Sequence, residues 1–284
     1  MPGIDDYEIQ QEPSSVTPPE EPGSGIGVVI LAAIAVLAAA GGYYWYQRQP
    51  AQAPSTTAAQ PRAAGSAQRG PGEPGENITL PPLDESDDVV RQLVRRLSTH
   101  PVVAAWLTTD GLIRNFTVVT VNIANGGHPE KQLGRLKPSA PFLARGSEGR
   151  QTIDSRSYAR YDDIADAVSA IDAQGAARLY ATLKPRIAEA YGALGEPAAN
   201  FDDVLERAIR ELLRVPIVPD PIALTPRPMS YAYADPQLEA LTPPQKHLLR
   251  MGSKNVAMIQ AKLREIAGYL GIPASSLPSP PAVR

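Results

Sequence analysis

The sequence predicts a mainly α protein: one N-terminal transmembrane helix, then a multi-helix globular domain with at most a small β-hairpin. Three observations lead there. Residues 26–46 form an uncharged, largely apolar run. Proline-rich segments with little apolar periodicity flank that run on both sides. Beyond Leu80 the apolar residues recur at helical spacing almost to the end, with few strand signals.

These changes in composition divide the chain. Residues 1–24 read as a disordered acidic tail and 25–46 as the transmembrane helix. Residues 47–77 read as a disordered Pro/Ala-rich linker, 78–272 as the helical domain, and 273–284 as a second disordered tail. The chain holds 30 prolines in 284 residues, about twice the average usage, and the excess lies in the tails and linker. The formal net charge of −3 is set by the first segment, where Asp5, Asp6, Glu8, Glu12, Glu20 and Glu21 face no Lys or Arg. From Ile78 onward 24 basic side chains stand against 22 acidic ones. That near-balance makes nucleic acid an unlikely partner, since bulk attraction requires a clear basic excess. With no cysteine, disulfides, zinc-thiolate centres and thiol nucleophiles are excluded together.

At about 1.5 Å per residue the 21 residues from 26 to 46 match a hydrocarbon core of about 30 Å. A cleaved signal peptide would carry a basic leading region and a shorter apolar run, so an anchor is the better reading. Tyr43, Tyr44, Trp45 and Tyr46 suit a membrane interface. Arg48 and Arg62 follow the span and no basic residue precedes it, which taken literally keeps the domain cytoplasmic. The linker composition suits instead a tether holding a domain away from a surface. The residues alone leave the orientation even.

In the domain, Val89, Val90, Leu93, Val94 and Leu97 line one helical stripe. Asp87 and Asp88 open it and Arg95 and Arg96 close it, as the helix dipole favours. Pro101 fits a first helical position leading into residues 102–107. Residues 112–123 are β-branched, but Leu112, Phe116, Val119 and Ile123 repeat at helical spacing, so a helix ending at Gly126-Gly127 is expected. One helix is expected through Tyr158, Tyr161, Ile164, Val168 and Ile171. Another carries Ala176, Leu179, Leu183, Ile187, Tyr191 and Leu194, with a kink or split at Pro185. Asn200 caps a helix that ends before Pro216. Thr242-Pro-Pro-Gln245 is a capping box, Gly252 closes that helix, and Ser253 opens the last one, striped by Val256, Ile259, Leu263, Ile266 and Leu270. Strand signals are limited to a hairpin pairing residues 142–145 with 150–153, and to alternation over 229–233.

Little in this pattern points to chemistry. The pairs Asp87/Asp88, Asp162/Asp163 and Asp202/Asp203 each sit where a helix begins, which capping explains without a site. His100, His128 and His247 are the only histidines, and none has a partner at metal-ligand spacing. No nucleophile elbow, Walker loop or dinucleotide fingerprint occurs, so no cofactor is indicated and the balance leans away from an enzyme. Residues 248–257 resemble a helix-hairpin-helix turn, but Lys254 stands where its second glycine belongs, and a packing corner capped by Gly252 accounts for them equally well. The remaining signal is a net +4 between His128 and Arg160. There Lys131, Arg135, Lys137, Arg145 and Arg150 form a candidate contact surface for an anionic partner, on the least regular part of the domain.

The stretches LPPLDESD (80–87), YARYD (158–162), FDDVLERAI (201–209) and ADPQLEALTPPQKHLLRMGSKN (234–255) resemble the proteobacterial family known as domain of unknown function 3014. The resemblance covers roughly residues 80–270. It implies a single-pass anchor, a Pro/Ala-rich tether and a periplasmic domain at the bacterial inner membrane. It carries over no catalytic or binding residues. The expected role is therefore binding or scaffolding at the cell envelope. The alternatives are an enzyme acting on an envelope substrate, or a cytoplasm-facing regulatory or nucleic-acid-binding module.

Overall fold

The computed structural model describes residues 72–128, 138–147, 149–195 and 200–279. The apolar stripes become buried helix faces. Helix α1 (Asp87–Leu97) leads through α2 (Pro101–Trp106) to α3 (Leu112–Ala124). Asp87 does more than begin α1: its carboxylate accepts the backbone N–H groups of Gly111 (2.6 Å) and Leu112 (2.8 Å), capping α3 from outside. The β-branched run over α3 is helical because five of its apolar residues, Leu112, Ile113, Phe116, Val119 and Ile123, face the interior. Phe116 is wholly buried there, 5.8 Å from the ring of Phe201.

Helices α6 (Ala173–Gly192) and α7 (Phe201–Leu213) pack on α3, and Phe201 also meets Tyr191 and Tyr180 at 5.4 and 6.5 Å. Asn200 caps α7 as its side chain predicts, accepting Asp202 N–H. The last helix, α10 (Ser253–Tyr269), runs against α6, α7 and the preceding α5 (Asp162–Ser169), burying Val256, Ile259, Leu263 and Ile266. Gln260, also buried, donates to Leu212 O and Val215 O and so closes the C-terminal end of α7.

Three expectations need correction. The helix expected across Tyr158 and Ile171 is two, α4 (Ser155–Ala159) and α5, with Tyr161 at the junction. The apolar stripe continues because both pieces bury the same side, while the acidic pair Asp162/Asp163 starts a new helix rather than continuing the old one. Helix α6 does not split at Pro185 but runs unbroken through it. The peptide freed there, Ala181–Thr182, lies under residues 72–82, which cross the domain without regular secondary structure. A Cβ on Gly75 would stand 2.7 Å from that peptide, so only glycine passes. Glu76 N–H donates to Thr182 Oγ1, Glu73 pairs with Arg178, and Leu80 O accepts from Arg186.

The third correction concerns strands. In place of at most a hairpin there is a four-stranded antiparallel sheet: β1 (Ala144–Arg145), β2 (Gln151–Ile153), β3 (Ala223–Arg227) and β4 (Ser230–Tyr233), in that order. The β1–β2 hairpin is the one expected. It joins a second hairpin far along the chain through Gln151↔Leu224 and Thr152↔Ala223. Pro226 conceals β3 in the sequence. It lies beyond the two β3 residues that pair with β2, where a missing N–H is tolerated. The short helices α8 (Pro236–Glu239) and α9 (Pro243–Leu249) lead from β4 back to α10, and Thr242 and Gln245 form the expected capping box. Among the described residues no helix is long and apolar enough to cross a membrane; residues 25–46 lie outside them.

His247 on α9 is buried, and burial, reinforced by Arg250 and His128, lowers its pKa from 6.5 to about 3. With the folded value depressed, the unfolded chain takes the proton first. Stability is therefore complete above about pH 6.5 and declines toward about pH 3. Thermal melts between pH 7.5 and 4 should show this slope, at most about 1.4 kcal/mol per pH unit from one group. His247→Gln should flatten it, and an unchanged slope would assign the acid sensitivity elsewhere.

Candidate functional site

The turn between α9 and α10 is built on Gly252, whose φ of +86° is open to glycine and strained for any other residue. Its missing side chain is also a packing requirement, because a Cβ there would lie 2.9 Å from the ring of Tyr158. Tyr158 in turn reaches the sheet, its hydroxyl accepting Ile222 N–H at 3.1 Å while Ile222 O accepts from Ile153. Burial, with Asp220 close by, pushes the Tyr158 hydroxyl up to about 12. It is a fixed, neutral hydroxyl at physiological pH.

Around this corner lies a cleft of about 350 Å³. Met251, Pro221, Ile153 and Ala159 give it apolar surface. Polar groups reach it from five places: Arg145 on β1, Ser155 on α4, Asp162 at the start of α5, Asp220 ahead of β3, and Lys254 with Asn255 in the first turn of α10. Asp220 Oδ2 accepts both the N–H (3.1 Å) and the hydroxyl (2.8 Å) of Ser253. Asn255 is 2% exposed and donates through Nδ2 to Asp162 Oδ1 (2.9 Å) and Met251 O (3.0 Å). Lys254 Nζ stands 3.7 Å from Asp162 Oδ2, an attraction beyond hydrogen-bond reach.

The basic segment is divided. Lys131, Arg135 and Lys137 lie outside the described residues. Arg145 reaches the cleft, and Arg150 is exposed at the β1–β2 hairpin. Two arginines that contributed to the segment's charge are committed internally. Arg156 pairs with Asp154, which caps α4 and which that hydrogen bond lowers to about 2. Arg160 lies over the rings of Phe142 and Tyr161 at 5.5 and 5.0 Å and donates to the Ala140 and Ser157 carbonyls.

The sequence reading did not single out Tyr158, Asp220 or Asn255, and took Asp162 as a cap only. The signal for Tyr158, Asp162 and Asn255 was that YARYD and MGSKN belong to two of the stretches that carry the family resemblance; Asp220 lies in neither. The helix-hairpin-helix reading of the same corner weakens, since Asp220 holds the Ser253 N–H that a phosphate would need. His100 Nδ1 accepts Val102 N–H as an N-cap. Among the described residues no group of three or more His, Asp and Glu is placed to hold a metal ion.

A second cavity, of about 290 Å³, lies between the 72–82 arm, α6, α7 and the chain after α10. At its edge the Tyr180 hydroxyl donates to Asp202 Oδ1, and Lys184 bonds Asp202 Oδ2 at 2.6 Å.

Replacing Gly252 with Ala should cost about 1–3 kcal/mol in urea unfolding through the backbone alone, and more through the Tyr158 contact. Gly149 has a similar φ of +82° with nothing within 4 Å of a Cβ. Gly149→Ala isolates the backbone part, and equal losses at the two positions would show that the ring contact imposes nothing.

Comparison with known proteins gives one match. The model of the family described as "Protein of unknown function (DUF3014)" covers residues 112–267. No curated protein and no solved structure matches the chain. All the residues of the α9–α10 cleft fall inside the matched stretch, whereas the second cavity draws on Gly72, Glu73, Leu270 and Ile272 outside it.

Proposed function

For a chain that belongs to the DUF3014 family of proteins of unknown function, we propose a binding module that seats its ligand in the cleft between Tyr158 and the start of α10. The observation that carries this reading is the convergence of polar side chains, most of them charged, from five separate segments on one cleft, all within the family-matched residues. Binding is favoured over catalysis by the state of those groups. Tyr158 is held neutral at about 12, Asp220 is occupied by Ser253, and neither stands as a base beside an activated nucleophile.

The module is carried at the inner membrane on a single span and faces the periplasm, where it binds or scaffolds an envelope partner. The support is the uncharged run at residues 26–46, the acidic tail ahead of it, and the Pro/Ala-rich stretch that would serve as a tether. Arg145 and Arg150 extend a basic edge from the cleft along the β1–β2 hairpin, so an anionic partner could approach from that side.

A photo-reactive residue replacing Arg145 or Ser155 in cells should form an adduct of defined mass, and one replacing Arg96, exposed on α1, should not. Adducts of equal yield from all three positions, or from none, would remove the cleft as the binding site. Separately, a reporter active only after export, fused at Arg284, should be active. Activity only from a cytoplasmic reporter would place the domain on the other side.

A further inference from the structure

We propose that the domain rests on an anionic lipid surface through one end of its sheet, with Met229 entering the headgroup layer and Arg150 and Arg227 meeting lipid phosphates beside it. This deepens the proposed function on its membrane side, and it rests on the proposed anchor to keep the domain within reach of a bilayer.

Strand register sets the geometry. The turn at residues 146–150 joins β1 to β2, and β2 begins at Gln151, beside Leu224 of β3. Because β3 runs antiparallel to β2, its continuation through Thr225, Pro226 and Arg227 passes that turn. Both hairpin turns therefore lie at the same end of the sheet, and the second hairpin runs three residues, about 10 Å, past Gln151. Its closing turn is Pro228-Met229, between the paired Arg227 and Ser230. Met229 is 69% exposed, more than any other large apolar side chain among the described residues. Pro226 and Pro228, exposed as well, flank Arg227. Proline fixes φ, so the tip is already stiff and loses little freedom on contact.

The charge at this end is positive. Arg145, Arg150 and Arg227 stand against one acid in the two hairpins, Glu148. Arg150 is exposed in the first turn. Arg227 lies 3.6 Å from Glu239, but that carboxylate is shared with Lys246 at 3.1 Å and with the Tyr233 N–H at 3.0 Å. Two cations face the single acid, so the group as a whole keeps a positive charge. An apolar point set between guanidinium groups matches the boundary of a bilayer, where phosphates lie just outside apolar chains. A folded protein partner fits less well. Such an interface takes about 20–30 residues a side, and this tip offers seven, Thr225 to Tyr231, on a projection.

The chain ahead of the domain gives the reach. As a flexible coil, residues 47–71 would span about 25–30 Å on average. They join the domain at Gly72, whose neighbour Glu73 donates its N–H to Tyr269 O at the last turn of α10, whereas the sheet meets the first turn. Helix α10 is about 25 Å long, so such a tether lets the domain lie with α10 along the bilayer and the hairpin tips against it. A contact too weak to recruit a free protein then suffices, since tethering raises its effective concentration into the millimolar range.

The test exploits the absence of cysteine from the chain. Ser230→Cys, labelled with an environment-sensitive fluorophore, places one reporter beside Met229, and Arg96→Cys on α1 supplies the control. The full chain is reconstituted into vesicles of phosphatidylcholine alone, or of phosphatidylcholine and phosphatidylglycerol in equal parts, each with nitroxide-bearing lipid as quencher. The reporter at 230 should be quenched strongly in the mixed vesicles and little in the neutral ones, and the reporter at 96 in neither. Adding Arg150→Ala with Arg227→Ala should lower the ratio of bound to free tip about ten-fold or more. Met229→Ser should release the tip too, and neither change should move the melting temperature, since all three side chains are exposed. No quenching at 230, equal quenching in both kinds of vesicle, equal quenching at 96, or quenching indifferent to these substitutions overturns the proposal. Alkaline extraction reads the anchor separately: release of the chain would refute the span, while quenching at neutral pH still decides the hairpin tip.

Discussion

The contact of Gly252 with the ring of Tyr158 joins the two layers of the domain. On one side of it α10 runs through the helical core. On the other, the Tyr158 hydroxyl holds Ile222 at the start of the second hairpin. The backbone of the corner can approach the ring this closely only because position 252 has no side chain and tolerates a positive φ. The first turn of α10 is thereby brought to the sheet edge, and Asp220, Asp162 and Arg145 are assembled around it. Without that close approach the helices would still have stripes to bury, but no cleft would form between them and the strands.

Much of the helical layer was legible because its determinants are local. Capping residues such as Asn200 and Thr242, and stripes such as that of α10, announce themselves within a few turns of sequence. The sheet was only half legible. The β1–β2 hairpin is local, but β3 joins it across some seventy residues, and Pro226 makes β3 read as a loop. The division of α4 from α5 was hidden for a different reason: an apolar stripe records which side is buried and is insensitive to a short break such as that at Arg160 and Tyr161. Residues 129–137, with three of the candidate basic positions, lie outside the described structure, so that part of the sequence reading stands as an expectation.

The cleft was illegible for a physical reason as well. Asp162, Asp220 and Asn255 are separated by dozens of residues, and each has an ordinary local explanation as a cap or a turn residue. Their proximity is a property of the fold. Charge count misled in the opposite sense, since it treated every arginine of residues 128–160 as available. Arg156 neutralises a helix cap and Arg160 stacks on two rings, so both serve the domain's own structure. A net charge along a segment is an upper bound on the charge it shows to a partner.

The arm formed by residues 72–82 gives the domain a mechanical polarity. It lies along α6 with its bonds arranged in series: Glu73 to Arg178, Glu76 to Thr182, Leu80 to Arg186. The chain ahead of Gly72 enters at the Glu73 end, so a load transmitted from there meets the bonds one after another, as a strip is peeled, rather than all together. Peeling requires little force per step and leaves Leu83 and the rest of the core undisturbed until the arm is fully lifted. Tension from the N-terminal side is thus met first by a few polar contacts, ahead of Leu80 and Leu83, which pack against the core.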